Sequence, residues 1–490
     1  MSIFKFPNRR SFLGTSLGSL AAGTLTSALS LAESKTTKPP VKLPQADVLI
    51  RNAFVMTMDK SLGDIEGGDI RIKNGAIVAV GKALPTAGAR VIDGSGMIAL
   101  PGLVETHWHM WNSLLRSMAG DEQAVGYFPT SAGLGRFFTP KDMYVGTRLA
   151  AAEALYSGIT TVHDWCHNPR TPEHADENLR ALTETGIRAR FSYGPARGIP
   201  VSQALNVEDV RRLHRDWQSH SNNGLLSLGV AWRGVQYAVT GTDGKMAFQS
   251  ISKDVYELEY RTARDLGLPL SVHCNIGHKV DSGHVLQLQK LGLLYPDLQL
   301  IHMISTTPEE VEMVAKAGSS VSFSPYTEMR TGFGFPNLKQ YLDAGIRVGL
   351  SVDTTTLSGN ANMFEIMKGM QNISNGLALS EFSMTARRVL ELGTIEGAMS
   401  MGLDKDIGSL TPGKRADLIM VDTGSLNIGM FTDPAQMVVG AAEPHNVSLV
   451  MVDGRMVKEG GKMKGIDPKI VASEAKAANA AIRKRANWRF

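Results

Sequence analysis

The chain has 490 residues, 43% of them hydrophobic and 20% charged, with a formal net charge of +4; this is room for two or three domains, or for one large barrel with attachments. Residues 1–32 hold Lys5, Arg9 and Arg10 and no acid, and without them 48 basic and 47 acidic residues remain, a balance that excludes nucleic acid and anionic membrane as evident partners. Two cysteines, Cys166 and Cys274, exclude a disulfide framework.

In chain order, the first feature is an address. Arg9 and Arg10 precede Ser-Phe-Leu and a mildly apolar stretch rich in Gly, Ser, Thr and Ala. It is too weak for a spanning helix, which needs about 20 strongly apolar residues. A basic start, an apolar middle and small residues near the end describe an export signal, and the paired arginines look like its twin-arginine (Tat) form. The expectation is a signal over 1–32, a linker over 33–45, a periplasmic or secreted product, and no stable membrane insertion after cleavage.

From 46 to 96 the chain reads as short strands, with Asn-Gly at 74–75 between two alternating runs, a hairpin signal. Similar material returns over 401–465, where Asp-Gly at 453–454 marks a second hairpin. Neither piece can bury a core alone, so the two are expected to join into one small β-sandwich domain. Residues 466–490 read as a C-terminal helix.

The middle, 97–400, alternates apolar runs with amphipathic helical segments. Its strand candidates are IALPGLVETHWH, ITTVHDWC, IRARFSYG, LLSLGVAW, LPLSVHC, LQLIHM, SSVSFSP and IRVGLSVD. Continuous apolar strands alternating with helices indicate a parallel sheet buried on both faces, and eight such units fit an α/β fold of the (β/α)8 barrel type. Thr307-Pro308-Glu309-Glu310 is a capping-box start with proline at the first helical position.

In such a barrel the chemistry sits at the C-terminal ends of the strands. Strand one ends in His107 and His109, strand five in His273, strand six in His302 and strand eight in Asp353. Side chains alternate along a strand, so residues i and i+2 point the same way, and the histidine pair can grip one ion. Neutral imidazole suits zinc, iron or nickel, and a carboxylate such as Asp353 completes such a site.

PGLVETHWH, SVHC, LIHM and GLSVD, with DIGSLTPGKRADLIMVD and HNVSLVMVDGRMVKEGG on the flank, resemble the ordered motifs of the amidohydrolase superfamily, over roughly 46–465. The nearest branch holds cytosine deaminase-like, S-adenosylhomocysteine deaminase-like and chlorotriazine hydrolase-like enzymes. The resemblance implies that His107, His109, His273 and Asp353 hold one divalent metal, zinc first and iron or manganese next, with His302 beside it. Strand four offers Trp232 and Arg233 where two-metal branches carry a bridging lysine, which favours a single ion. A bound metal brings the pKa of water from ~15.7 toward ~7. Asp353 can then accept the water's proton, and His302 can stabilise charge on the substrate heteroatom.

The pattern breaks after strand five. Deaminases of this branch place a proton-shuttling glutamate three residues after the histidine, and here that residue is Ile276. Glu328 is the leading substitute and His278 the second. His167 and Trp111 are candidates for substrate contact, and His163 reads as a core histidine. Trp108, Trp111, Trp165, Tyr127, Phe128 and Phe138 suggest an aromatic pocket for a planar ring, and the loop from Met110 to Thr139 suggests a lid or dimer contact.

The leading reading is a metal-dependent hydrolase of a carbon–nitrogen bond that deaminates a cyclic amidine such as a purine, pyrimidine or triazine. An exported amidase, or a hydrolase releasing another leaving group, is the alternative that best tolerates Ile276. A non-catalytic metal-binding barrel is the third. A small molecule is the expected partner, and the protein is expected to form a homo-oligomer.

Overall fold

Eight parallel strands pair in sequence order: β1 Leu103–Trp108, β2 Ile159–Cys166, β3 Arg188–Tyr193, β4 Leu226–Trp232, β5 Leu270–Cys274, β6 Leu298–His302, β7 Ser320–Phe323 and β8 Val348–Leu350. They come from a computed structural model that describes residues 43–240, 246–277 and 283–489. The first and last strands meet through a parallel bridge between Trp108 and Asp353, so the sheet curls into a nearly closed barrel. Every residue of β1, β2, β6, β7 and β8 is buried, as expected for strands covered by helices outside and packed side chains inside.

The β1–β8 seam is tight enough to dictate a residue type. A Cβ on Gly349 would stand 2.4 Å from Thr106 Cγ2, and the Thr106 hydroxyl donates to the Leu350 carbonyl at 3.0 Å. Only glycine lets the two backbones approach so closely.

The helices between the strands start and stop where their end residues dictate. Thr307 caps Pro308–Ala317 in a capping box with Glu310, and Gly318 ends it in the left-handed conformation. Gly186 ends Pro172–Thr185 in the same way, because a residue at φ of 72° carries no side-chain penalty if it is glycine.

The strand-rich segments at the two ends of the chain form one nine-stranded sheet. Asn74-Gly75 and Asp453-Gly454 both turn with positive φ at both positions, the hairpin geometry their sequences call for. The two halves join where Met97–Pro101 pairs antiparallel with Leu418–Asp422, over a separate core that includes Ile50, Val55, Ile72, Leu418 and Met451.

This pairing divides the run 98–109, which reads as one strand in sequence. Residues 97–101 belong to the nine-stranded sheet and the barrel begins at Leu103. Between them lies Gly102, where a Cβ would overlap the Thr160 side chain at 2.0 Å.

Helix Pro468–Arg485 reaches the loop that follows β1. Glu474 pairs with Arg148, and the Asn479 side chain donates to the Leu114 carbonyl at 2.6 Å. Residues 1–42, with the export-signal reading, and His278 lie outside the described residues. No described helix is long and apolar enough to cross a membrane.

Candidate metal centre and cavity

Alternation along β1 sends Glu105, His107 and His109 toward the barrel axis. The two histidine rings are 4.7 Å apart, nearly perpendicular, and buried. His273 arrives from the end of β5 with its Nε2 3.3 Å from Nε2 of His107. Asp353 follows β8, with Oδ1 3.2 Å from His107 Nε2 and 3.3 Å from His109 Nε2.

These spacings are a direct test of metal fit. Metal–nitrogen bonds of about 2.0–2.1 Å make the edge of a ligand tetrahedron about 3.3–3.4 Å long, and the three separations match it. Asp353 Oδ1 is buried without a hydrogen-bond partner, a state that costs free energy unless a cation satisfies it. Two triads that share His107 could each hold a divalent metal: His107, His109 and Asp353, and His107, His273 and His302, with one ligand atom from each residue within 4.8 Å of the others in its triad.

Local backbone and second contacts aim these groups. His302 and Asp353 both sit in the left-handed region, at φ of 76° and 57°, where a residue with a Cβ is strained by about 1–3 kcal/mol. That strain turns each side chain inward just past its strand. His109 Nδ1 donates to the Trp165 carbonyl at 3.0 Å, which leaves the Nε2 lone pair facing the metal position. Glu105, beneath the site, accepts from the backbone N–H of His107 and of Val352 at 3.1 and 3.2 Å. Burial pushes its carboxyl pKa well up.

Burial, reinforced by neighbouring positive groups, pushes the pKa of His107, His167 and His273 well down. His109 falls to about 4, chiefly by burial. All four are thus neutral imidazoles near pH 7, the form that binds metal.

The remaining candidates fall into distinct positions. His167 lines the cavity, its ring 4.1 Å from that of His109. Trp111 does not reach the cavity. It is fully buried in the turn Met110–Leu115 and donates Nε1–H to His167 Nδ1 at 3.2 Å. With Nδ1 accepting, neutral His167 carries its proton on Nε2.

Glu328 is likewise set back from the cavity. The helix Pro325–Arg330 starts directly after β7 and folds the side chain onto its own N-terminus, where Oε1 accepts from the Ser324 N–H at 2.8 Å and from His302 Nδ1 at 3.1 Å. Burial raises its pKa. Glu328 thus stands against His302 and is not among the residues lining the cavity.

His163 is a satisfied core histidine, bonded to Gln299, Thr106 and Ser192 at 2.9, 3.0 and 2.7 Å. Ile276 does line the cavity. Tyr127, Phe128 and Phe333 supply the aromatic wall, whereas Trp108 and Trp165 are buried in the core.

Sequence reading passed over Arg197, on the loop after β3, and a hairpin after β4. Strands Gln236–Thr240 and Met246–Ser250 bring Gln236, Tyr237 and Phe248 to the cavity. Asp243-Gly244 between two alternating runs was the available signal for that hairpin; nothing comparable marks Arg197.

The sequence model of the amidohydrolase family matches residues 98–457. The 5'-deoxyadenosine deaminase of Methanosarcina barkeri is 26% identical over 90% of this chain and 100% of its own. The 5-methylthioadenosine/S-adenosylhomocysteine deaminase of Acetivibrio thermocellus is 28% identical over 88% and 98%. Among solved structures, an adenosine deaminase from Xanthomonas campestris with bound zinc superposes with a TM-score of 0.79 at 23% identity, over 90% of this chain and 99% of that one. The atrazine chlorohydrolase of Arthrobacter aurescens complexed with zinc gives 0.74 at 24%, over 88% and 100%. The family model spans most of the chain and includes every candidate ligand at the barrel mouth, so this chain belongs to the amidohydrolase family and is a metal-dependent hydrolase of carbon–nitrogen bonds.

Proposed function

We propose that the chain hydrolyses a carbon–nitrogen bond at a ring carbon of a cyclic amidine, such as a purine, pyrimidine or triazine, with one zinc ion held by His107, His109, His273 and Asp353. The observation that carries this reading is the 3.2–3.3 Å spacing of His107 to His273 and to Asp353 and of Asp353 to His109, set in a cavity walled by Tyr127, Phe128 and Phe333. Relatives that deaminate adenosine derivatives support the substrate class.

When bound, the metal supplies an ionised water at neutral pH and polarises the atom under attack. The chain's own groups manage the proton. Glu328 Oε1 accepts two hydrogen bonds, so His302 carries its proton on Nδ1 and faces the cavity with the Nε2 lone pair. His302 Nε2 can take a proton and return it to the departing nitrogen, the task Ile276 cannot perform. Tyr127 accepts from Asn112 Nδ2 at 3.2 Å, which leaves its own O–H free to donate to a ring heteroatom. The aromatic faces hold the ring and exclude water from it.

Export is part of the same proposal: Arg9-Arg10 and the apolar stretch after them support a Tat-exported, periplasmic or secreted enzyme. Ammonia release from purified, zinc-replete protein across neutral and acidic purines, pyrimidines and triazines is the test. Turnover of at least one ring is expected. Cleavage of amides with no ammonia from any cyclic amidine overturns the reading in favour of an amidase.

A further inference from the structure

Three polar groups on the cavity wall are each held as hydrogen-bond donors by a partner outside the cavity. His284 opens the helix His284–Lys290, which follows β5, and its buried ring lines the cavity with Ile276. The ring lies on Gly234, where a Cβ would stand 2.7 Å from Nε2. That Nε2 accepts from the Val235 N–H at 3.4 Å. A backbone N–H offers no lone pair, so Nε2 is unprotonated and the ring hydrogen is on Nδ1.

His167, just after β2, is fixed by the same logic. The indole N–H of Trp111 reaches its Nδ1 at 3.2 Å, and an indole nitrogen can only donate. The hydrogen that His167 can give to the cavity is therefore on Nε2. Tyr127, on the segment after β1, is set by a two-step relay. The Thr354 hydroxyl donates to Asn112 Oδ1 at 2.8 Å, which orients the amide so that its Nδ2 donates to the Tyr127 hydroxyl at 3.2 Å. The hydrogen of that hydroxyl is left to give.

The acceptors of the cavity are placed differently. Asp353 belongs to the metal position, and Gln236 Oε1 accepts from Gln287 at 3.4 Å. Thr331 keeps its lone pairs, because its hydroxyl donates to the Thr327 carbonyl at 2.7 Å. The segments after β1, β2 and β5 thus all turn hydrogens toward the same space.

We infer that His167, His284 and Tyr127 select a ring whose edge away from the cleaved bond carries acceptors, so that the preferred substrate is an oxo-substituted cyclic amidine and not one bearing further amino groups. This deepens the ring-hydrolase reading and rests on it for the bond that is cleaved. A carbonyl oxygen or an unprotonated ring nitrogen satisfies these donors. An N–H in its place would set hydrogen against hydrogen and leave both unpaired in a site that excludes water.

The test pairs a binding probe with turnover. Binding of 1,3-dimethyluracil, which offers two carbonyls and no N–H, and of m-phenylenediamine, which offers two amines, is measured by calorimetry. The zinc-loaded wild type, His284→Phe and Trp111→Phe are compared. Leaving a buried donor unpaired corresponds to roughly a 10–100-fold loss of affinity. The wild type is expected to bind the dione that much more tightly than the diamine. His284→Phe removes one donor and is expected to shrink the preference. Trp111→Phe releases His167 to exchange tautomer and is expected to shrink it too, although the cavity wall keeps all its residues.

Equal binding of the two probes by the wild type, or tighter binding of the diamine, overturns the inference without recourse to any variant. So does a preference undiminished in both variants, because the carbonyl is then read by the metal. In turnover, 4-amino-1-methylpyrimidin-2-one is expected to exceed 2,4-diaminopyrimidine in kcat/KM by a similar factor, and by less in His284→Phe. If no ring releases ammonia while the binding preference follows His284, the ring-hydrolase reading falls and the donor wall stands.

Discussion

His109 donates its backbone N–H to the Asp353 carbonyl at 2.7 Å, and Asp353 returns its own N–H to the His107 carbonyl at 3.1 Å. The bridge that closes the barrel is therefore made by residues whose side chains face the metal position. Closure and ligand geometry are one event: β8 cannot dock on β1 without bringing Asp353 Oδ1 to within 3.3 Å of both histidines.

Asp353→Asn separates these two roles. The backbone bridge survives and the negative charge is lost. We expect a folded protein with an unchanged circular dichroism spectrum, a metal content well below one ion per chain, and a rate lower by roughly 10²–10⁴-fold, the usual range for losing a general acid–base group. Full metal occupancy together with the wild-type rate would show that Asp353 is neither ligand nor base.

Metal affinity should depend on pH in an unusual way. In the folded protein the His109 pKa lies at about 4, and those of His107 and His273 are well below their ordinary value. Protons then compete with the metal only as pH falls through about 4, whereas an exposed histidine site loses metal below its ordinary pKa of about 6.5. Zinc affinity measured with a competing chelator is expected to change less than about threefold between pH 8 and pH 5.5 after correction for the chelator's own titration. A tenfold loss per pH unit in that window contradicts the buried, neutral histidine set.

Glu328 is placed to position His302. In Glu328→Gln the Nδ1 contact persists but the anionic acceptor is gone. A drop in kcat of about 10–100-fold, the usual cost of losing an outer partner of a site histidine, is expected with little change in KM. An unchanged kcat removes Glu328 from the mechanism.

A further prediction concerns Lys458, which is completely buried. Its ammonium donates to the carbonyls of Tyr156 and Pro444 at 2.7 and 3.2 Å and lies 3.8 Å from the centre of the Tyr156 ring. Burial lowers its pKa from 10.5 to about 8. Between those values the unfolded chain carries the proton and the folded chain does not, so stability rises with pH across that window, by up to about 3 kcal/mol in total. Thermal melts of the wild type should show this rise between pH 8 and 10, and Lys458→Met should abolish it. Parallel melting curves for the two proteins would mean that the lysine stays charged in the fold.

Much of the architecture was legible because it rests on local rules. Asn74-Gly75 and Asp453-Gly454 turn their hairpins, Thr307 caps its helix, and the eight apolar runs become the eight barrel strands. The ligand candidates were legible for the same reason, since a polar residue at the end of an apolar strand has one mouth to face. The strand break at Gly102 was not, because it depends on the approach of Thr160 from β2. Nor was the setting of Trp111 and Glu328, which share sequence neighbourhoods with cavity residues but turn into the core.

By itself, then, the order of residues determined the alternation of strand and helix, the joining of the two chain ends into one β-domain, though as a single nine-stranded sheet and not the expected sandwich, and the set His107, His109, His273, His302 and Asp353 as the candidate groups. These follow from periodicity, turn chemistry and side-chain type, all of which act over a few residues. Tertiary structure alone decided that His107 comes within 3.2–3.3 Å of His273 and Asp353, and Asp353 within 3.3 Å of His109, that Glu328 stands behind His302, and that Trp111 stands behind His167. Those are distances between residues far apart in the chain, and they exist only once the barrel has closed and burial has set which charges find partners.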